Sequence, residues 1–281
     1  MKKILLLFIM IKSLPDSQAQ PYIDIASVKF MNSPDAGIIN RNKQNYILSY
    51  FNASLNLPLP FRPIRGIVLL SPFYEEWNTS LSNAPNVVSK HQGFVLALSF
   101  VDTVPNHKWR YAITPIIRLK DFSEDGTSSA QWGVAGLAIF SQNRDLFWKF
   151  GCYFNRDYFG NFFMPLLGID WWINKRNKLF GILPGNLTFE HKAGLQLYYG
   201  ITFRAITNSY RDIGEGYFKV DDNQLSFFTD IYLAKSIVLN TEIGHSVFRK
   251  LTLGEKKVFR NDLSVNDNLY FKVSLNIRHR F

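Results

Sequence analysis

In NLYFKVSLNIRHRF, residues 268–281, every second position is apolar or aromatic. Leu269, Phe271, Val273, Leu275, Ile277, His279 and Phe281 share one face, while Tyr270, Lys272, Ser274, Asn276, Arg278 and Arg280 share the other. Successive strand side chains point to opposite sides, so a period of two predicts a β-strand dividing an apolar medium from a polar one. The pattern returns in KWRYAITPIIRLK, residues 108–120, and in GLQLYYGITFRA, residues 194–205. Similar segments start near Tyr46, Phe94, Ala130, Leu146, Phe162, Leu225 and Ile237. They run to about ten residues or more, the length of a tilted strand that crosses a bilayer, whereas strands of soluble domains average about 5–6. A soluble sandwich also alternates, so strand length and the connections must separate the two cases.

Counting back from Phe281, with that residue at the periplasmic rim, short links fall on one side: 234–236, 191–194, 174–178, 142–145, 104–107 and 58–65. The other side takes the longer stretches 254–268, 207–223, 155–160, 121–129, 77–90 and 33–43. Short periplasmic turns with longer external loops are how transmembrane barrels are built. The hairpin around Pro184-Gly185-Asn186 breaks the size rule, being external yet tight, with flanking strands of only about six residues. With it and an initial strand near Asp24–Met31, the expectation is an all-β, antiparallel up-and-down transmembrane barrel of 14 strands, or 12 if that hairpin lies outside the wall.

Composition agrees with strands in lipid. Aromatics make up 16% of the chain and charged residues only 19%, yet no stretch approaches the roughly 18 unbroken apolar residues of a membrane helix. MKKILLLFIMIKSLPDSQAQ opens with Lys2 and Lys3, followed by an apolar run from Ile4 to Ile11 that Lys12 ends and a small-residue site at Ala19, which reads as a secretory signal over 1–19 ahead of one barrel domain, 20–281. The net charge of +10 comes without a dense basic run or a nucleic-acid-reading motif, which argues against nucleic acid as a partner. The single cysteine, Cys152, forbids an intramolecular disulfide and is expected on the outer face. Phosphate-loop, His-Glu-x-x-His and paired-cysteine motifs are absent, so no cofactor or metal is implied. Glu190-His191 and His245-Ser246 could combine as acid, base and nucleophile. Neighbouring strand residues face opposite ways, however, which leaves His245 poorly placed to activate Ser246; the other reading is turn and rim residues.

An alternating final strand that ends in Phe, behind a signal segment, resembles outer-membrane β-barrel proteins of Gram-negative bacteria. That resemblance implies an outer-membrane location, membrane lipid as surroundings, a monomer, and Phe281 as a signal for the barrel assembly machinery. Residues 164–200, with Pro165, Gly168 and Trp171 in one strand and Leu183-Pro184 after the next, resemble the uncharacterised family called domain of unknown function 6268, which implies a fold and a compartment but no activity. Strand parity places Lys108, Arg110, Arg118, Lys120, Lys149, Arg204, Lys272, Arg278 and Arg280 inside, against Asp170, Glu190, Asp230 and Glu242. One reading of this basic excess is a channel for small solutes, anionic ones among them; the other is a plugged barrel held by ion pairs, serving structure or surface interactions. A lipid-acting enzyme comes third. Trp77, Trp109, Trp132, Trp148 and Trp171 are expected in interfacial girdles, with Trp172 facing inward beside Asp170. Deleting Phe281 is expected to slow barrel assembly while export continues. Unchanged membrane fractionation and heat-modifiable gel migration in the variant would contradict that role.

Overall fold

A computed structural model describes residues 21–37, 45–61, 66–81, 84–102, 108–120, 129–211, 216–255, 259–264 and 266–281. The expected signal segment 1–19 and the link 104–107 lie outside them, as does most of 121–129. Fourteen strands form the wall. In chain order they are β1 (Tyr22–Gly37), β2 (two pieces, Asn45–Leu55 and Leu57–Phe61), β3 (Gly66–Leu81), β4 (Ala84–Asp102), β5 (Trp109–Lys120), β6 (Ser129–Ser141) and β7 (Leu146–Asp157). Then follow β8 (Gly160–Trp172), β9 (Asn177–Leu183), β10 (Asn186–Lys192), β11 (Leu197–Arg211), β12 (Gly216–Tyr232), β13 (Ile237–Glu255) and β14 (two pieces, Phe259–Ser264 and Leu269–Arg280). Each pairs antiparallel with its sequence neighbours, and β1 pairs with β14 from Tyr22↔Arg280 to Asn32↔Phe271, which closes the ring. The hairpin at Pro184-Gly185 belongs to the wall, since β9 pairs with β8 and β10 with β11, so the count is 14 and the alternative of 12 falls. Gly181, at φ +146°, bends β9 where a Cβ would lie 2.3 Å from the Asn186 carbonyl oxygen, a backbone state reserved for glycine.

Closure satisfies the demand that lipid makes on a sheet, because hydrocarbon offers no partner to an unpaired N–H or C=O. Turns at residues 142–145, 173–176, 193–196 and 233–236 gather at one end, beside Phe281, whose amide donates to the Pro21 carbonyl at 3.1 Å. At the opposite end the strands run on. Most of 33–43, 77–90, 207–223 and 254–268, expected as long loops, is strand or strand extension wherever it is described, and 155–160 holds a two-residue turn, Tyr158-Phe159. Residues 58–61, the described part of the expected link 58–65, pair with β3. The reason lies outside the wall: above the lipid the outer face meets water, alternation fades, and the hydrogen-bond ladder continues without it.

The outer face shows where lipid stops. On β6 the outward row is Trp132, Val134, Gly136, Ala138 and Phe140, which at about 3.3 Å per residue and a tilt of roughly 40° spans about 20 Å, close to the ~25 Å apolar band of such barrels. Trp109 packs on Phe140 at 4.9 Å between ring centroids, with Trp148 opposite Phe140 and Trp171 opposite Leu146, making a girdle near the turn end. Trp132 packs on Phe154 at 5.6 Å near the far edge, opposite exposed Arg156. Beyond that edge the outer surface turns polar: Glu76 accepts from Tyr74 and Asn78 and pairs with Lys90 at 2.9 Å. Cys152 and half-exposed Ile113, Ile117 and Leu275 lie on the lipid face. Trp77, expected in the girdle, is instead fully buried in the interior. Arg at Ile113 or Leu275 is expected to cost about 2–4 kcal/mol at the bilayer midplane, and Arg at inward Thr114 far less; folding into liposomes under urea titration measures the difference, and equal losses would reject these faces.

Candidate functional site in the barrel interior

Parity that turns apolar side chains to lipid turns the remainder into the lumen, where water is scarce and charges must find one another. Near the turn end Arg278 lies between Asp24 and Asp230, at 2.6 Å from each, with Tyr22 under its guanidinium at 3.6 Å. Arg280 makes two hydrogen bonds of 2.8 Å to Glu190. Higher up, Arg204 binds Glu242 through two hydrogen bonds of 2.7 Å, and Lys272 reaches the same carboxylate at 2.6 Å. Lys149 pairs with Asp170 at 2.7 Å, both buried. Asn240 donates to Asp230 at 2.8 Å and accepts from Ser274, which links strands β12, β13 and β14 in one network. A polar void of about 90 Å³ remains among Asp24, Lys29, Arg204, Glu242, Lys272 and Arg278.

The other half of the interior is sealed differently. Met31, Leu48, Trp77, Tyr210, Phe218, Val220, Leu251 and Tyr270 form one buried cluster, and His91 stacks on Phe218 at 4.2 Å. Across the lumen, Tyr210 and Asn208 of β11 donate to Glu75 of β3 at 2.9 and 3.1 Å. Arg249 of β13 binds Asp222 of β12 at 2.9 Å and the Ser33 hydroxyl of β1 at 2.8 Å.

Of the residues marked from sequence, Arg204, Lys272, Glu242 and Arg278 line one volume, and Asp230 holds Arg278 from behind it. Glu190 with Arg280 and Lys149 with Asp170 form separate pairs. Arg110 and Arg118 lie over the inward rings of Phe147 and Tyr153, at 5.2 and 5.9 Å. Lys108 is exposed beside the start of β5, and the side chain of Lys120 lies outside the description. Trp172 faces inward with Lys178 3.3 Å over its ring. Strand parity missed Asp24, Glu75, Asp157, Asp222 and Arg249, all inward. Asp157 and Asp222 sit in stretches taken for loops, whereas Arg249 lies in the strand expected from Ile237 on; a register shift between Asp221 and Asn223, opposite Val247 and Lys250, hides Asp222 and Arg249 from simple alternation. The four residues weighed as hydrolytic do not converge: His245 is on the outer face, Ser246 bonds the Asn268 backbone, Glu190 holds Arg280, and outward His191 meets Asn177 at 2.7 Å.

Charges inside and an aromatic-bounded apolar belt outside invert the plan of a water-soluble protein. The chain is an outer-membrane β-barrel. No family model and no curated protein matches it. Among solved structures it is similar to the translocator domain of the autotransporter NalP from Neisseria meningitidis, at 9% identity over 100% of this chain and 95% of that one, with a TM-score of 0.35. It is also similar to a mutant of the monoaromatic hydrocarbon channel TodX, at 8% identity over 97% and 94%, TM-score 0.39. A third is a mutant ferric enterobactin receptor from Pseudomonas aeruginosa, at 8% identity and TM-score 0.31, where the match covers 84% of this chain and 62% of the receptor. Likenesses this distant say nothing of activity.

Replacing Glu242 by Gln leaves Arg204 and Lys272 facing each other without their shared counter-charge. Breaking one side of a buried pair costs about 3–5 kcal/mol, so the urea midpoint for folding in liposomes is expected to fall clearly. Adding Arg204→Leu and Lys272→Met should recover most of the loss. A Glu242→Gln barrel as stable as the original would show that the network contributes nothing.

Proposed function

We propose that the protein is a conduit for small polar solutes, seen here in a closed state whose gate is the ion-pair layer of the lumen. The observation that carries this reading is the set of ion pairs among Asp24, Arg204, Glu242, Lys272 and Arg278 lining a polar void, with Asp230 behind it holding Arg278. Buried ion pairs are a poor way to stabilise a fold compared with apolar packing, whereas side-chain pairs lining a lumen can exchange partners for water and passing ions without moving the wall. Inward-facing Asp24, Glu75, Asp157 and Asp222 offset much of the basic excess expected from sequence, so the anion preference of the open state is weak. A resemblance of residues 164–200 to domain of unknown function 6268 supports the compartment and adds no solute. Membrane lipid and the assembly machinery, through Phe281, are its partners, and it acts as a monomer.

The second reading, a structural or surface-interacting barrel with a permanent plug, draws on the aromatic cluster around Trp77 and Tyr210. Planar-bilayer recordings separate the two. The original barrel is expected to conduct little at low voltage, and Asp230→Asn with Glu242→Gln to open more often and prefer anions, an effect that shrinks as salt shortens the Debye length from about 10 Å at 0.1 M to about 3 Å at 1 M. Barrels that insert normally and stay silent in both forms at every voltage would establish the plug.

A further inference from the structure

Strands β9 and β10 end at Leu183 and Asn186, opposite Leu167 of β8 and Arg204 of β11. Their neighbours continue, β8 through residues 160–166 and β11 to Arg211, and no described strand pairs with the facing sides of those continuations. The wall is therefore notched. The last bond across the floor of the notch runs from the Ala205 amide to the Gly185 carbonyl, at 3.0 Å. On the β8 side the notch cuts into the lipid belt, since Phe163 and Pro165, level with it, are outward and exposed. Here β8 is apolar on its inner side too, with Phe162, Met164 and Leu166.

Behind the notch lies a cavity of about 360 Å³, within the ~300–1,000 Å³ range of small-molecule sites. Both rims and the floor of the notch line it: Met164 and Leu166 from β8, Pro184 and Gly185 from the hairpin, Ile206 from β11. Its far wall is polar, with Arg118 and Asn155. Between their strands Gly133 of β6 faces inward, and Asn155 Oδ1 packs against it, 2.8 Å from where a Cβ would stand. Arg118 makes no ion pair among the described residues and lies over the Tyr153 ring at 5.9 Å. Asn155 is 1% exposed and its amide donates to Asp157 at 2.9 Å, while its Oδ1 accepts from nothing. A buried acceptor without a donor costs about 1–3 kcal/mol, which a ligand hydroxyl would recover once the Asn155 side chain turns from Gly133 toward the cavity.

We infer that this cavity is a binding site for a single-chain amphiphile with a hydroxylated acidic head, which enters sideways from the membrane through the notch between β8 and β11. The chain would lie along Phe162, Met164, Leu166 and Ile206, the acid against Arg118, and the hydroxyl would donate to Asn155 Oδ1. The site is separate from the ion-pair layer, so either assignment can fail without the other.

Radiolabelled β-hydroxydecanoate is titrated onto the full barrel in lipid nanodiscs, with empty nanodiscs as background. Saturable binding is expected, weakened at least tenfold by Arg118→Gln, with decanoate binding less tightly than its hydroxylated form and decanol least of all. Asn155→Leu should erase the preference for the hydroxyl, and Met164→Trp should block binding. Heat-modifiable migration checks that each variant folds, and Ile206→Trp serves as a second blocking variant from the opposite rim. Uptake no greater than in empty nanodiscs would overturn the proposal, as would binding that folded Arg118→Gln and blocked-notch barrels retain in full, or equal binding of decanol.

Discussion

Every feature of this molecule depends on the fact that a backbone in hydrocarbon has no water to bond. A single unpaired amide or carbonyl there costs several kcal/mol, so a sheet that crosses lipid must close. In this chain the closing bond line is the seam between β1 and β14, where the first and last described strands meet over ten residue pairs. The seam explains why residues 269–280 alternate so strictly: lipid on one side and the lumen on the other hold each residue to its face, and a slip by one position would exchange them. Inside, Ser27 Oγ donates to Asn276 Oδ1 at 2.6 Å across the same seam, a side-chain bond that marks the register.

Closure also dictates what the lumen contains. Because the apolar residues face outward, the inward set is polar by default, and in a narrow interior those groups can be solvated only by one another. Arg278 between two carboxylates, and Glu242 between two cations, are the outcome. The aromatic cluster at Trp77 and Tyr210 fills the half where the wall rises above the membrane and parity no longer sends large side chains outside. Above the short β9–β10 hairpin strand pairing is missing beside the belt, and there both faces of β8 are apolar, which suits a wall bordered by hydrocarbon on more than one side.

The barrel was legible where lipid imposed a period of two. Residues 109–119, 195–205 and 269–281 show the pattern on both faces, and their lengths and inward sets could be read directly. Legibility ended at the membrane edge. The outward row Glu76, Asn78, Lys90 and Gln92 is as polar as a loop, so β3 and β4 looked shorter than they are, and Trp77 was assigned to a girdle. A register shift at Asp221–Asn223, opposite Val247 and Lys250, moved Asp222 and Arg249 out of reach of alternation. The tight Leu183-Pro184-Gly185 turn was visible as an exception, but its meaning, a notch in the wall, depended on how far β8 and β11 continue past it. Pairing was beyond the sequence altogether: counting bases against acids misses Asp24, which binds Arg278 from the far end of the chain.

The closed seam in its stated register is tested most directly by a disulfide. In a Cys152→Ser background, Ser27→Cys with Asn276→Cys puts two thiols on facing positions, where Cβ atoms lie about 4.5–5.5 Å apart, within reach of a disulfide. Ser27→Cys with Ser274→Cys displaces one of them by two positions along β14. Mild oxidation of the folded barrels in liposomes, followed by mass spectrometry of the linked peptides, should give near-complete cross-linking of the first pair and little of the second. Folded barrels in which the first pair stays reduced, or in which the displaced pair links in preference, would contradict the closure described here.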